Sequence, residues 1–259
     1  MLRTDFLPDS TRRLFERLQG DARLDGMVLV GGTALAIQIG HRMSEDLDFN
    51  VFGAPLPKNA ISSLLSDLKR SGSSVVGTIT EDRRAQFRIN FGSSIDSYIQ
   101  DYVIDETKVT FHSRSELERP ADQIQFLQQA DTIKPIGDHG FRVLGIDGLF
   151  AMKVLVTYDR VRSRDIYDLM ILFREHGYSM DDAFERIAAL QPPSNCNPER
   201  FKAVVTGQIP LDEDDEGFSS INLKATPSDA QRFFRELVDA YEVDLAKRIH
   251  ESMAARCRG

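Results

Sequence analysis

The chain has 259 residues, of which 41% are hydrophobic and 28% charged, a globular composition with length for one large domain or two modest ones. Its formal net charge of −8 argues against a protein that grips nucleic acid through a broad basic surface, while leaving room for a local basic groove. Two cysteines, Cys196 and Cys257, are too few for a disulfide framework and point to a reducing, cytoplasmic setting. No membrane span or apolar secretory core is visible, and the histidines at 41, 112, 139, 176 and 250 lack zinc-type spacing.

Ser10 to Leu18 reads as an amphipathic helix with Leu14, Phe15 and Leu18 on one side. The apolar run Met27 to Val30 reads as a strand buried on both faces, and it breaks at Gly31-Gly32, a pair suited to a tight turn and close backbone approach. Thr33 is placed to cap the next helix, whose packing stripe is Leu35, Ala36 and Ile39. After Gly40 and a polar link comes Asp46-Leu47-Asp48-Phe49. On a strand, positions two apart share a face, so Asp46 and Asp48 project together, away from Leu47, Phe49 and Val51. Side-by-side carboxylates repel, and one or two divalent cations remove the penalty, as metal-assisted phosphoryl transfer requires.

Further along, 53–57 is a turn region and Ile61 to Leu68 a helix. Three short strands are expected next: Val75 to Thr80, then Gln86 to Phe91, where Phe87, Ile89 and Phe91 alternate, then Ser94 to Ile99, where Asp96 and Tyr98 share a face. Lys108 to Phe111 reads as a strand, 119–130 as a helix and Phe141 to Leu144 as extended. In Gly145 to Phe173, Asp147 is an N-cap candidate, and Lys153, Thr157 and Arg160 share one helix edge. Ser163 can cap a second helix that carries Asp165 and Asp168 on one face. Two short helices, Met180 to Leu190 and Glu199 to Val205, flank a Pro-Pro break. The acidic run 212–216 reads as a solvated loop, with nucleic-acid mimicry or a basic protein partner as the other options. A long helix from Ser228 to about Ala254 places Phe233, Leu237, Tyr241 and Leu245 on one side.

The stretch GGTALAIQIGHRMSEDLDF resembles the signature of polymerase-beta-type nucleotidyltransferases, and in its wording the AbiEii/AbiGii toxin branch. The later pattern Asp-x(5)-Lys, Arg, then Arg-Asp-x-x-Asp-Leu is similar to the second half of that family's core. The resemblance implies an α+β fold, with a polymerase-beta-like nucleotidyltransferase core whose small mixed sheet is flanked by helices, and a mostly helical C-terminal domain. The boundaries expected are 1–144 and 145–259, with the catalytic cleft between them. It implies that Asp46 and Asp48, joined by Asp96 with Asp101 as the fallback, hold Mg2+ or Mn2+. Gly31, Gly32 and Thr33 would face the phosphates of an NTP, Lys153 would contact the triphosphate, and Asp165 would be an active-site carboxylate. The implied reaction moves an NMP from an NTP to an acceptor, a tRNA 3′ end or a protein, in the toxin of a type IV toxin–antitoxin or phage-defence system with a cognate antitoxin. Arg42, Arg83, Arg84 and Arg88 would suit an RNA. The alternatives are a non-catalytic NTP- or partner-binding module of the same fold, or a kinase-like phosphotransferase.

Overall fold

A computed structural model describes residues 2–114, 119–215, 217, 218, 223 and 225–256. Glu216 of the acidic run, Cys257 and Arg258 lie outside the described residues. The chain divides into two compact units, 1–152 and 153–259.

The first unit is built on a seven-stranded mixed sheet. Its strands are β1 (Val28–Val30), β2 (Leu47–Phe52), β3 (Val75–Gly77), β4 (Ile99–Ile104), β5 (Thr107–Arg114), β6 (Thr132–Ile133) and β7 (Arg142–Leu144), in the spatial order β3-β4-β5-β2-β1-β7-β6. β2 lies between antiparallel β1 and parallel β5, well away from either edge. The helices are α1 (Asp9–Leu18), α2 (Gly31–Ile39), α3 (Lys58–Arg70), α4 (Glu81–Phe91), α5 (Ala121–Gln129) and the start of α6 (Ile146–Val156). One face of the sheet holds an aromatic core. Phe49 stacks on Phe111 at 5.5 Å and meets Phe141 edge-on at 5.0 Å, while Phe141 meets Phe15 of α1 at 5.4 Å. Strand alternation therefore turns Asp48, between buried Leu47 and Phe49, to the opposite face.

The α+β class is borne out, but the segment 75–99 is not three strands. Residues 81–91 form α4, and Ile95–Ser97 is a 3₁₀ turn, so Asp96 lies on a turn before the strand that starts at Ile99. Period-two alternation at Phe87, Ile89 and Phe91 lost to stronger helix signals. The Thr80 hydroxyl accepts from the Arg83 amide, Glu81 and Asp82 occupy the first turn, and Gly92 ends the helix at φ +64°. The alternating residues are consequently misplaced for a helix face: Ile89 is 83% exposed and α4 has no buried residue.

The second unit holds the end of α6 with α7 (Ser163–Glu175), α8 (Met180–Leu190), α9 (Pro198–Val205) and α10 (Pro227–Arg256). α7 is its central helix, buried continuously from Asp165 to Phe173. α10 packs on α7 and α9, with Phe234 edge-on to Phe173 at 5.3 Å. The buried stripe of α10 is Ala230, Phe234 and Val238, one position on from the expected Phe233 and Leu237; Leu245 is exposed. The acidic run is only in part a solvated loop: Glu213 and Asp214 are exposed, while Asp212 and Asp215 serve backbone amides. Asp215 Oδ1 accepts from the backbone and hydroxyl of Ser163 at 2.9 and 3.0 Å, and Asp212 accepts from the Val161 amide at 3.0 Å. Asp214 pairs with Arg162 at 2.5 Å. The reason lies in α7, whose N-cap, Arg162, offers no acceptor, so the first-turn amide of Ser163 is satisfied from fifty residues downstream.

Candidate active site

In the first unit the site grows out of the junction between β1 and α2. The strand runs into the helix without a linker: Val30 is the N-cap and Gly31, at φ +75°, is already the first helical residue. Thr33 thus lies inside the helix and does not cap it. Val30 carries no hydroxyl or carboxylate, so the first amides of α2 depend on something other than their own N-cap side chain. Antiparallel pairing sets Val30 opposite Asp48, which brings the Asp48 carboxylate over this helix start. A Cβ on Gly31 would stand 3.0 Å from Asp48 Oδ2, and one on Gly32 would stand 2.4 Å from Arg42 Nη2 and 3.2 Å from Ser44 Oγ. The two glycines therefore make room for the acidic strand and for the loop that leads into it.

That loop is held from beneath. Arg42 and Ser44 are buried, and Arg42 Nη1 donates to the Met43 carbonyl at 2.9 Å. The Thr33 hydroxyl lies 2.8 Å from Ser44 Oγ and bonds the Asp46 carbonyl. Thr33 has one proton, so when it goes to the Asp46 carbonyl, Ser44 is the donor to Thr33. The chain Ser44, Thr33, Asp46 fixes the backbone of the first carboxylate. Its neighbour Asp48 is two residues on, inside β2, whereas Asp46 stands just before the first strand residue, Leu47.

A third carboxylate comes into the same row through the sheet. Asp48 pairs with Thr110 of β5, and Thr110 pairs with Asp101 of β4, so all three share a face. Two strand spacings put the Asp48 and Asp101 backbones about 10 Å apart. Among the described residues no three carboxylate, imidazole or thiolate side chains already converge as a metal cage. The donor chemistry still fits: carboxylates are the ligands of a hard divalent ion, and the glycine cradle keeps a side chain out of the space at Asp48. Asp101 is held at 3.1 Å by Arg83, while Asp96 is bonded by Arg84 and lies 3.4 Å from Ser94 Oγ. Sequence reading stopped the strand at Ile99 and so left Asp101 beyond its end. The missing signal was a hairpin made by Asp105-Glu106, both at positive φ, without the Asn-Gly that marks such turns.

The second unit carries its own charged cluster. Lys153 Nζ donates to Asp165 Oδ1 at 2.5 Å and lies 2.7 Å from Asp168 Oδ2. The side chains of Lys153 and Asp165 are 7% and 5% exposed, and Asp168 is fully buried. Arg160 adds a second cation, its Nε 2.9 Å from Asp165 Oδ2. Burial pushes the Asp165 carboxyl up, but the charges of Lys153 and Arg160 and their hydrogen bonds outweigh it and hold the pKa below the ordinary 3.8. The spacing that placed Lys153 and Asp165 on one reading thus brings them into contact, and adds Asp168, which shares the α7 face three residues on.

Comparison with known proteins adds a family. The chain is 26% identical over 179 residues to the uncharacterized protein aq_aa25 of Aquifex aeolicus, a match covering 68% of this chain and 71% of that one. It is similar in structure to JHP933 from Helicobacter pylori (TM-score 0.47, 17% identity, 95% and 96% of the two chains). It is also similar to MenT4, the nucleotidyltransferase toxin Rv2826c of Mycobacterium tuberculosis H37Rv (TM-score 0.44, 14% identity, 85% and 77%). The family described as "Nucleotidyl transferase AbiEii toxin, Type IV TA system" matches residues 12–246. With that pattern running through nearly the whole sequence, the chain belongs to the AbiEii nucleotidyl transferase toxin family.

Proposed function

We propose that this nucleotidyltransferase-family toxin uses a divalent metal, Mg2+ or Mn2+, to move an NMP from an NTP to a hydroxyl acceptor, a tRNA 3′ end or a protein side chain. The observation that carries the reading is the Asp48 carboxylate over the glycine start of α2, with Asp101 in the same row across Thr110. Asp46 and Asp48 would hold the cation, with Asp101 or Asp96 as the third ligand. Bound there, a divalent ion would offset the charge of the triphosphate and favour ionisation of the acceptor hydroxyl. The amides of Gly31, Gly32 and Thr33 and the positive end of α2 face the phosphates. The acceptor oxygen attacks the α-phosphorus as its proton passes to solvent water, the bond to the β-phosphate oxygen breaks, and pyrophosphate leaves with the electron pair.

The family resemblance assigns Lys153 to the triphosphate and makes Asp165 an active-site carboxylate that orients Lys153 or the acceptor. Lys153 is paired with the carboxylates of Asp165 and Asp168, so the amine exchanges one carboxylate for phosphate when it acts. A cognate antitoxin is part of the same proposal. The test is incubation with each labelled NTP, Mg2+, total tRNA and cell protein. Wild type is expected to label one acceptor class and release pyrophosphate, and Asp48→Ala to label it at least about 100-fold more slowly with an unchanged melting temperature. Release of nucleoside diphosphate would make the chain a phosphotransferase. NTP binding by calorimetry with no transfer to either acceptor would make it a binding module.

A further inference from the structure

Arg83 is placed on Asp101 with unusual care for a surface arginine. The amide of Thr78 donates to the Asp101 carbonyl at 3.0 Å, and two residues later Thr80 caps α4 by accepting from the Arg83 amide. The Arg83 guanidinium then returns to the same residue, Nη1 to Asp101 Oδ2 at 3.1 Å. The strand is thus clasped at one position by backbone and side chain from a single segment. The Asp101 side chain is 14% exposed, whereas that of Arg83 is 51% exposed. Asp101 is thus enclosed, while Arg83 reaches it from the solvent side. α4 itself has no buried residue, and an isolated helix of eleven residues is marginal in water. Its attachments among the described residues include the Arg83–Asp101 and Arg84–Asp96 pairs and the Phe87 ring against Tyr98 at 5.7 Å.

We propose that Arg83 is a displaceable stand-in for the cation: its guanidinium neutralises Asp101 while the carboxylate row lacks a metal, and moves to the triphosphate oxygens when metal and NTP arrive together. The inference rests on the reading that Asp101 joins the cation site. Its logic is electrostatic. An acid facing Asp48 across one strand needs a positive partner in either state, and a guanidinium forked toward an oxyanion binds phosphate as readily as carboxylate. Arg83 is therefore a positioning residue in the metal-free protein and a phosphate ligand in the loaded one.

The two roles give opposite signs to one substitution, which a merely structural arginine would not do. Mn2+ binding to the full nucleotide-free chain is followed by electron paramagnetic resonance, and binding of each of the four NTPs with Mg2+ by calorimetry. Arg83→Gln is expected to tighten Mn2+ binding several-fold, because the competitor is gone, and to weaken NTP binding several-fold. Arg83→Lys, which keeps the charge without the fork, falls between on both. Asp101→Asn together with Arg83→Gln loses the gain in Mn2+ affinity. Mn2+ binding that depends on Asp48 but is unchanged or weakened in Arg83→Gln overturns the stand-in and leaves the metal reading intact. Mn2+ binding insensitive to Asp48→Asn in every variant overturns the metal reading, and the stand-in with it.

Discussion

Gly31 does two jobs that no other residue can do together. Its φ of +75° costs a residue with a side chain about 1–2 kcal/mol, and the position its Cβ would take is 3.0 Å from Asp48 Oδ2. Gly31→Ala should therefore lower stability by about that amount in urea unfolding. It should also lower transfer activity more than the stability loss explains, because the methyl pushes the carboxylate from its place. Equal activity in Gly31→Ala at a temperature where the variant is fully folded would contradict the placement of Asp48 at the centre of the site. The same residue was legible beforehand as a turn glycine. That it starts the helix outright was not, since nothing in a Gly-Gly pair says whether a loop or a helix follows.

At the level of elements, β4 and β5 meet through a two-residue turn in which Asp105 and Glu106 have φ of 45° and 72°. Asp105 has a compensating contact, its Oδ1 accepting from the Ser74 amide at 2.9 Å. Glu106 makes no such side-chain bond among the described residues and bears the left-handed strain of a residue with a Cβ. Glu106→Gly is expected to stabilise the protein by about 0.5–1 kcal/mol, read as a rise in melting temperature with unchanged activity. This hairpin also explains what the sequence concealed. The turn lacks its usual residues, and Phe87, Ile89 and Phe91 alternate like a strand although Thr80 and Gly92 frame a helix. Both signals moved the expected strand upstream, and Asp101 fell outside it. The motif from Gly31 to Asp48 and the helices of the second unit were legible because apolar periodicity and the glycines agree there, although the expected caps Thr33 and Ser163 both lie inside their helices.

For the whole molecule, stability against acid is set partly by a cluster far along the chain from the proposed metal ligands. Lys153 and Arg160 keep the Asp165 carboxylate ionised below its ordinary pKa of 3.8. A lowered folded pKa contributes stability that is complete above the unfolded value and drains away as pH falls through the folded one. Lys153→Met removes the buried partner of two carboxylates and should cost about 3–5 kcal/mol at neutral pH. It should also flatten the stability–pH curve below about pH 4, since there is less to lose there. Denaturant melts across pH 2–7 on wild type and variant would check both parts, and parallel curves would dissociate Lys153 from the Asp165 charge. Composition alone indicated a globular acidic chain. The acidic run from Asp212 to Asp215 is where composition misled, because charge density predicts solvation unless an uncapped helix elsewhere needs acceptors.

The direct passage from β1 into α2 has a consequence for where this architecture can vary. A strand that becomes a helix between Val30 and Gly31 has no slack residue to lengthen or delete, and one insertion there would rotate the helix start by about 100° away from Asp48. Growth, tags and circular openings must then be accommodated at exposed joints such as 71–74, leaving the strand-to-helix seam as the fixed datum from which the rest of the first unit is measured.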